Sequence, residues 1–352
     1  MGDGSKPGSI TIEDVATSAG VSRQTVSRVI NRRPNVKDSV RARVQQAIDD
    51  LGYVPNLSAR RMGGARSYLI LAVNDRQRTL ENWRAGRGND WVDQMLYGGM
   101  TECERHGYHL VFELIDTDTA KAEGELAAII AALRPDGVIL TPPHCDNAGL
   151  TGLLERHRIA CARVGHQSGE KCVDVFMDEE GAAKRATSHL IDLGHRRIAF
   201  VAGAPNYGNS ARRIAGFRLA LADAGLPGDA GNVGNGDFQF DPAAAVIDEM
   251  LTSPSPPTAI IADNDEMAFA ALHVASKRGL RVPQDLSIIS FEDTPGVRFS
   301  VPPLTAIRQP TAAMIAKACE QLIATSTGKE GTGRFELPFD LIERASTARR
   351  QA

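Results

Sequence analysis

Hydrophobic positions along this chain follow two rhythms, and the change between them falls near residue 67. Before it, apolar residues recur at helical spacing. Thr11 can cap a helix running to Ala19, with Asp14 three residues on as its box partner and Val15 and Ala16 on the apolar side. Gly20 suits the left-handed bend of a tight helix-helix turn. Ser22 caps a second helix ending near Asn31, with Val26, Val29 and Ile30 inward. After Pro34, a third helix is predicted from Asp38 to Leu51, with Val40, Val44, Ile48 and Leu51 on one face and Gly52 as its stop. Tyr53 and Val54 fold back, and Pro55 starts NLSARRM (56–62), a polar segment too short to be a stable helix alone. It is a hinge candidate.

Beyond Ser67, apolar runs of strand length alternate with amphipathic stretches. The strands are predicted at 68–73, 108–114, 136–140, 159–164, 173–177, 197–203, 258–262 and 286–291. The helices fall at about 91–106, 120–133, 179–193, 211–224, 242–251 and 265–278. This alternation predicts parallel sheets covered by helices on both faces. Eight strands exceed one compact sheet unit, so two similar α/β lobes are expected.

Composition narrows the classes. Charged residues make up 24% and hydrophobic residues 42%, a globular balance. No stretch approaches about 18 uncharged apolar residues, which excludes a membrane helix. MGDGSKPGSI lacks an apolar signal core, so a cytoplasmic location is expected. The five cysteines are odd in number and include no Cys-x-x-Cys, which gives neither a fully paired disulfide framework nor a zinc pattern. Residues 1–66 hold eleven Lys/Arg against six Asp/Glu, whereas the whole chain holds 40 against 43. A small basic head on an acidic body points to a polyanion partner for the head.

The head's residues suit DNA. Its second helix opens Ser22-Arg23-Gln24-Thr25, and Ser27 and Arg28 follow one turn on along the same face. Arg can pair with guanine and Gln with adenine in the major groove, while hydroxyls and helix N-terminal amides suit phosphate. This is a helix-turn-helix arrangement, docked by the N-terminal end of the second helix.

TIEDVATSAGVSRQTVSRVIN followed by LGYVPNLSARRM resembles the LacI/GalR family of bacterial transcriptional regulators. Further matches are HLIDLGHRRIAFVAG, SARRIAGFRLAL, ADNDEMAFAAL, GLRVPQDLSIISFEDTP and VPPLTAIRQP, so the resemblance covers nearly the whole chain. It implies a helix-turn-helix head over residues 1–54, a hinge helix and linker over 55–66, and an effector-binding and dimerisation body over 67–352. That body is expected as two doubly wound parallel-sheet lobes, periplasmic-binding-protein-like, about 67–165 plus 295–325 and about 166–294 plus 326–352. Operator contacts are implied for Thr11, Ser22, Arg23, Gln24, Thr25, Ser27, Arg28, Asn31, Tyr53, Asn56, Ser58, Arg60 and Met62. In the family the hinge residue matching Met62 is usually Leu and wedges a central base step; Met62 can wedge likewise or pack hinge against hinge.

In the body, several polar residues follow predicted strands, where ligands sit in such sheets. They are Asn74 and Asp75, Asn264 and Asp265, and Glu292 and Asp293, with Arg213 opening a helix after the 197–203 strand. Each alone suits a cap or turn equally well; as a set they predict a site for vicinal hydroxyls. The resemblance implies the same for Arg213, Asn264 and Glu292, with Glu292 standing where the family commonly has Asp. Asp75, Trp91, Arg163 and Phe176 complete the expected effector site, Trp91 either stacking on the ligand or packing at a helix start. The segment 74–95 is read as an unusually long loop, and these departures favour an anionic or an oligomeric saccharide.

No Gly-x-Ser-x-Gly, P-loop or Rossmann spacing occurs, and no His-x-x-x-His pair lies on a predicted helix, so neither catalysis nor a metal or cofactor is expected. The expected protein is a cytoplasmic, nucleoid-associated bacterial repressor of carbohydrate-utilisation genes, a homodimer or higher oligomer on near-palindromic operator DNA, released by a small sugar-like effector. A corepressor-dependent repressor, an activator and a sugar-binding protein without DNA function are the alternatives.

Overall fold

The computed structural model describes residues 10–30, 35–53, 66–87, 89–167, 171–227, 233–326, 328 and 332–350. The chain divides into two compact units, residues 1–68 and 69–352. In the first, α1 (Ile12–Ala19), α2 (Arg23–Ile30) and α3 (Asp38–Leu51) form the three expected helices. Thr11 and Asp14 close a reciprocal capping box, the Thr11 amide donating to Asp14 at 2.8 Å. Gly20 and Gly52 end α1 and α3 at φ 61° and 62°, a conformation glycine adopts without a Cβ penalty. Val15, Val26 and Val44 are fully buried at the centre of this small core.

The second unit holds two six-stranded sheets. The first is built from β1 (Leu69–Asp75), β2 (His109–Ile115), β3 (Gly137–Leu140), β4 (Ala160–Val164), β5 (Val173–Phe176) and β11 (Gly333–Glu336), in the order β11-β5-β4-β3-β1-β2 and all parallel. The second is built from β6 (Ile198–Ala202), β7 (Val233–Asn235), β8 (Ala259–Ala262), β9 (Ser287–Glu292), β10 (Thr305–Arg308) and β12 (Asp340–Ile342). Its order is β12-β10-β9-β8-β6-β7, with only β12 antiparallel. Each sheet reverses strand order once, between β1 and β3 and between β6 and β8. Those switch points are where the carboxyl ends of open α/β sheets leave a crevice.

All eight expected strands form. The expected lobe boundaries do not hold. Residues 173–176 and 333–336 pair in the first sheet, and 305–308 in the second, each opposite to the expected assignment. The chain therefore crosses between lobes just after β5, after β10 and after β11. The segment read as a long loop is instead α4 (Arg76–Arg84), capped by Asp75, followed by α5 (Asp90–Arg105). Helices α6 (Thr119–Leu133) and α7 (Ala148–Arg156) cover the first sheet, and α8 (Glu179–Asp192), α9 (Gly208–Asp223), α10 (Phe240–Thr252), α11 (Asp265–Lys277) and the short α12 (Pro295–Phe299) surround the second. Helix α13 (Thr311–Ser326), missed in the sequence, returns to the first lobe. No helix among the described residues is long and apolar enough to cross a membrane.

Helices α5 and α13 touch through glycine. A Cβ at Gly98 would lie 2.0 Å from the Ala312 carbonyl oxygen, whereas one at Gly124 on α6 meets nothing within 4 Å. Gly98→Ala should therefore lower stability by about 1–3 kcal/mol through overpacking. Gly124→Ala should raise it by up to about 1 kcal/mol through helix propensity. Thermal unfolding of both variants checks the opposite signs.

Candidate functional site

In the head, Thr11, Ser22, Arg23, Gln24 and Arg28 are exposed, and Thr25 and Ser27 are partly so. Ser22 accepts from the Thr25 amide at 3.2 Å, which turns the start of α2 and leaves Gln24 and Arg28 four residues apart on its outer side. Arg23 pairs with Glu13 at 3.1 Å on the surface, an exposed pair of small energetic weight. Tyr53 departs from expectation: its ring is 7% exposed and packs into the head core beside Val15 and Val44, because Gly52 turns the chain back over α3. Asn31, Asn56, Ser58, Arg60 and Met62 lie outside the described residues.

The body holds a cavity of about 130 Å³ where the two switch points face each other. Asn74 and Asp75 end β1, Pro142 follows β3, Asp263 and Asn264 follow β8, Glu292 ends β9 and Gln309 follows β10, and all line it. Strand ends place these groups, and helix caps orient two of them. Asp75 accepts from the Arg78 amide at 3.1 Å, and Asn264 from the Met267 amide at 2.9 Å. Left-handed backbone at Asp237 and Phe238 (φ 53° and 55°) and at Glu292 and Asp293 (φ 103° and 61°) aims further groups at the cavity. Such conformations in residues with a Cβ are strained and concentrate at binding sites.

Arg213 forms one wall. It is 3% exposed, donates to Glu179 at 2.6 Å and to the Asp263 carboxylate at 2.7 Å, and lies 4.5 Å over the Phe291 ring. Burial opposes its charge, but Glu179 and Asp263 outweigh burial and hold the guanidinium protonated, its pKa raised. Across the cavity, Arg78 donates to the Asp237 carbonyl at 2.7 Å and stands 5.5 and 5.6 Å from the Tyr207 and Phe238 rings. The Tyr207 hydroxyl donates to Asp75 at 2.8 Å. These contacts tie the first lobe to the second, as do Arg87 with Glu266 at 2.9 Å and Arg212 with the Gly165 carbonyl.

Carboxylates dominate the remaining charge. Burial pushes Asp265 up to about 6, against hydrogen bonds from Ser290 and the Thr294 amide. Burial, and then the Asp265 charge, raise Glu292 well above the ordinary carboxylate range. Arg78 and Arg213 are both engaged with carboxylates of the protein, so an anionic ligand finds no idle cation among these lining residues. That counts against the anionic saccharide. Among the described residues no group of three or more His, Cys, Asp or Glu is placed to hold a metal ion.

Asp75, Trp91, Arg213, Asn264 and Glu292 thus come together on one cavity. Arg163 and Phe176 do not line it. Arg163 forms a buried pair with Asp174 at 2.7 and 3.0 Å, because β4 and β5 set the two directly opposite each other. Phe176 is covered by Arg334, 5.2 Å from its ring, where β11 pairs alongside. The sequence reading missed Arg78, Tyr207 and Phe238. Tyr207 follows β6 and Phe238 follows β7, so the strand-end rule applied to those loops would have found both.

Residues 11–56 match the bacterial regulatory proteins of the lacI family, and residues 187–347 match the periplasmic binding protein-like domain. The transcriptional regulator CelR of Thermobifida fusca is 33% identical over 91% of this chain and 92% of its own. The solved CelR–cellobiose complex aligns with a TM-score of 0.72 at 31% identity, covering 96% of this chain and 99% of that one. A lac repressor dimer bound to operator and an anti-inducer aligns at 0.78 and 26%, covering 97% and 100%.

Two outcomes follow from the cavity's charges. Arg213→Ala leaves Glu179 and Asp263 buried without their counter-charge and should cost about 3–5 kcal/mol in chemical denaturation. Asp265 and Glu292 hold protons more tightly folded than unfolded, so their contribution favours the fold at acid pH and is withdrawn as pH rises through the raised values. Glu292→Gln cannot ionise. It should be more stable than the parent at about pH 8 and lose that advantage by about pH 5, read by unfolding at each pH.

Proposed function

The chain belongs to the lacI family of bacterial regulatory proteins, and from that premise we propose that it is a repressor of carbohydrate-utilisation genes, released from operator DNA by a small neutral sugar. One observation carries the effector reading. Both switch points open on a single cavity lined by amides, carboxylates and aromatic rings, with its arginines already paired. Planar polar groups of this kind bind vicinal hydroxyls bidentately, and rings accept the apolar face of a sugar. CelR, a relative at 33% identity, has been solved with cellobiose.

On the DNA side, Gln24 and Arg28 read base edges in the major groove, with Thr11, Ser22, Arg23, Thr25 and Ser27 on phosphates or neighbouring bases. Asn31, Asn56, Ser58, Arg60 and Met62 extend the operator contacts by their positions in the sequence. The working form is a homodimer on a near-palindromic site in the bacterial cytoplasm, associated with the nucleoid through its operator. Tyr97 and Met100 on α5 are 67% and 57% exposed, and Phe299 and Val301 are 82% and 91% exposed. A second copy would cover such apolar surface in each lobe. Binding sugar between the lobes changes how they close, and differential closure is what allows a ligand to oppose DNA binding.

Operator titration by fluorescence anisotropy tests the reading. Gln24→Ala should weaken specific binding by about 1–3 kcal/mol and relax preference at one position per half-site, leaving random DNA binding nearly unchanged. Asn264→Ala should keep operator affinity while losing release by saccharides. Equal losses on specific and random DNA would demote Gln24 to a phosphate contact. Tighter operator binding on adding sugar would make the ligand a corepressor.

A further inference from the structure

We propose that the effector is at least a disaccharide, its second ring stacked on Trp91 outside the central cavity; this rests on the sugar-effector reading above. The central cavity, about 130 Å³, is smaller than the roughly 300–1,000 Å³ of ordinary ligand pockets. Next to it lies a second cavity of about 360 Å³. The two share Asn82, Asn89, Trp91, Asn264, Glu266 and Glu292, so one opens into the other along a common wall. The second adds Phe240 and Phe269, giving it three aromatic side chains with Trp91. A third cavity of about 360 Å³ also shares Trp91, but its added lining is polar, including Arg298 and Arg308. Trp91 is the one aromatic residue that borders all three.

Trp91 is built as a platform. It stands in the first turn of α5, which is capped by Asn89 accepting from the Val92 amide at 3.4 Å and anchored by the buried Val92 and Met95. The ring is half-buried, and among the described residues its indole N–H has no hydrogen-bond partner. Trp83, the other tryptophan, meets Phe112 edge-on at 6.5 Å and lines none of these cavities. A pyranose has an apolar C–H face and a rim of hydroxyls, which matches an indole that lines the cavities beside Asn89, Asn264 and Glu292. One ring in the central cavity leaves Phe240 and Phe269 uncovered. A second ring covers them. That ring is uncharged, because the only arginine of the second cavity, Arg87, is taken by Glu266 and the rest of its charge is carboxylate.

Isothermal titration of the full-length protein with glucose, galactose, mannose and xylose, and with cellobiose, maltose, lactose, mannobiose and xylobiose, tests this. At least one disaccharide should bind about tenfold or more tighter than its constituent monosaccharides, the gain expected from burying a sugar face on an aromatic ring. Trp91→Ala should weaken the disaccharide about tenfold more than its monosaccharides, and Trp91→Phe should restore most of that difference. In a Trp83→Phe background the remaining indole emission should shift further with the disaccharide than with the monosaccharide. A monosaccharide as tight as every disaccharide containing it, or an equal loss of both in Trp91→Ala, overturns the second-ring site and leaves the sugar reading standing. If no saccharide of the panel binds to protein that still binds operator, both readings fall.

Discussion

A buried arginine ties together the strand ends of the second lobe. Arg213 projects from α9 and joins Glu179 at the start of α8 to Asp263 at the end of β8, with Phe291 of β9 beneath it. Asp263 also accepts from the Gly203 amide at 2.9 Å and from Ser210, so the turn from β6 to α9 hangs on the same carboxylate. One charge network thus fixes the ends of three neighbouring strands and the starts of two helices. Its geometry sets where Asn264 and Glu292 stand. Removing a partner from such a network costs far more than a surface pair, because the charges left behind are out of reach of water.

The first lobe meets this frame through polar contacts rather than an apolar seam. Tyr207 reaches Asp75, Arg78 reaches Asp237, and Arg87 reaches Glu266. Burial and the nearby Asp75 charge raise the Tyr207 pKa, so the phenol stays protonated and donates. Polar contacts between lobes exchange for ligand or water more easily than a hydrophobic core does, and three short crossings connect the lobes. This combination suits an element with two arrangements of similar energy, which a regulator needs if a small molecule is to shift its balance. Within the first lobe, by contrast, α5 and α13 pack so closely at Gly98 that a single Cβ would meet the Ala312 carbonyl.

Much of this was legible in the chain itself. The apolar period gave all three helices of the head and all eight of the expected strands, because burial on one face or both is written locally. Capping residues marked helix starts at Thr11 and Ser22. The strand-end positions of Asp75, Asn264 and Glu292 followed from strand prediction alone, since a parallel strand buried on both faces must end where its polar residues begin.

What the sequence could not determine was which strand lies beside which. The apolar run at 173–176 marks a strand, whereas 305–308 and 333–336 carry no predicted one, and only pairing across the sheets assigns all three to a lobe. The same pairing decided the fate of Arg163 and Phe176, claimed by Asp174 and Arg334 from adjacent strands, and it brought Arg78, Tyr207 and Phe238 to one cavity from three distant segments. Local pattern determines that a side chain is buried or exposed. Its partner depends on contacts far apart in the chain, and those exist only once the sheets have closed on their order.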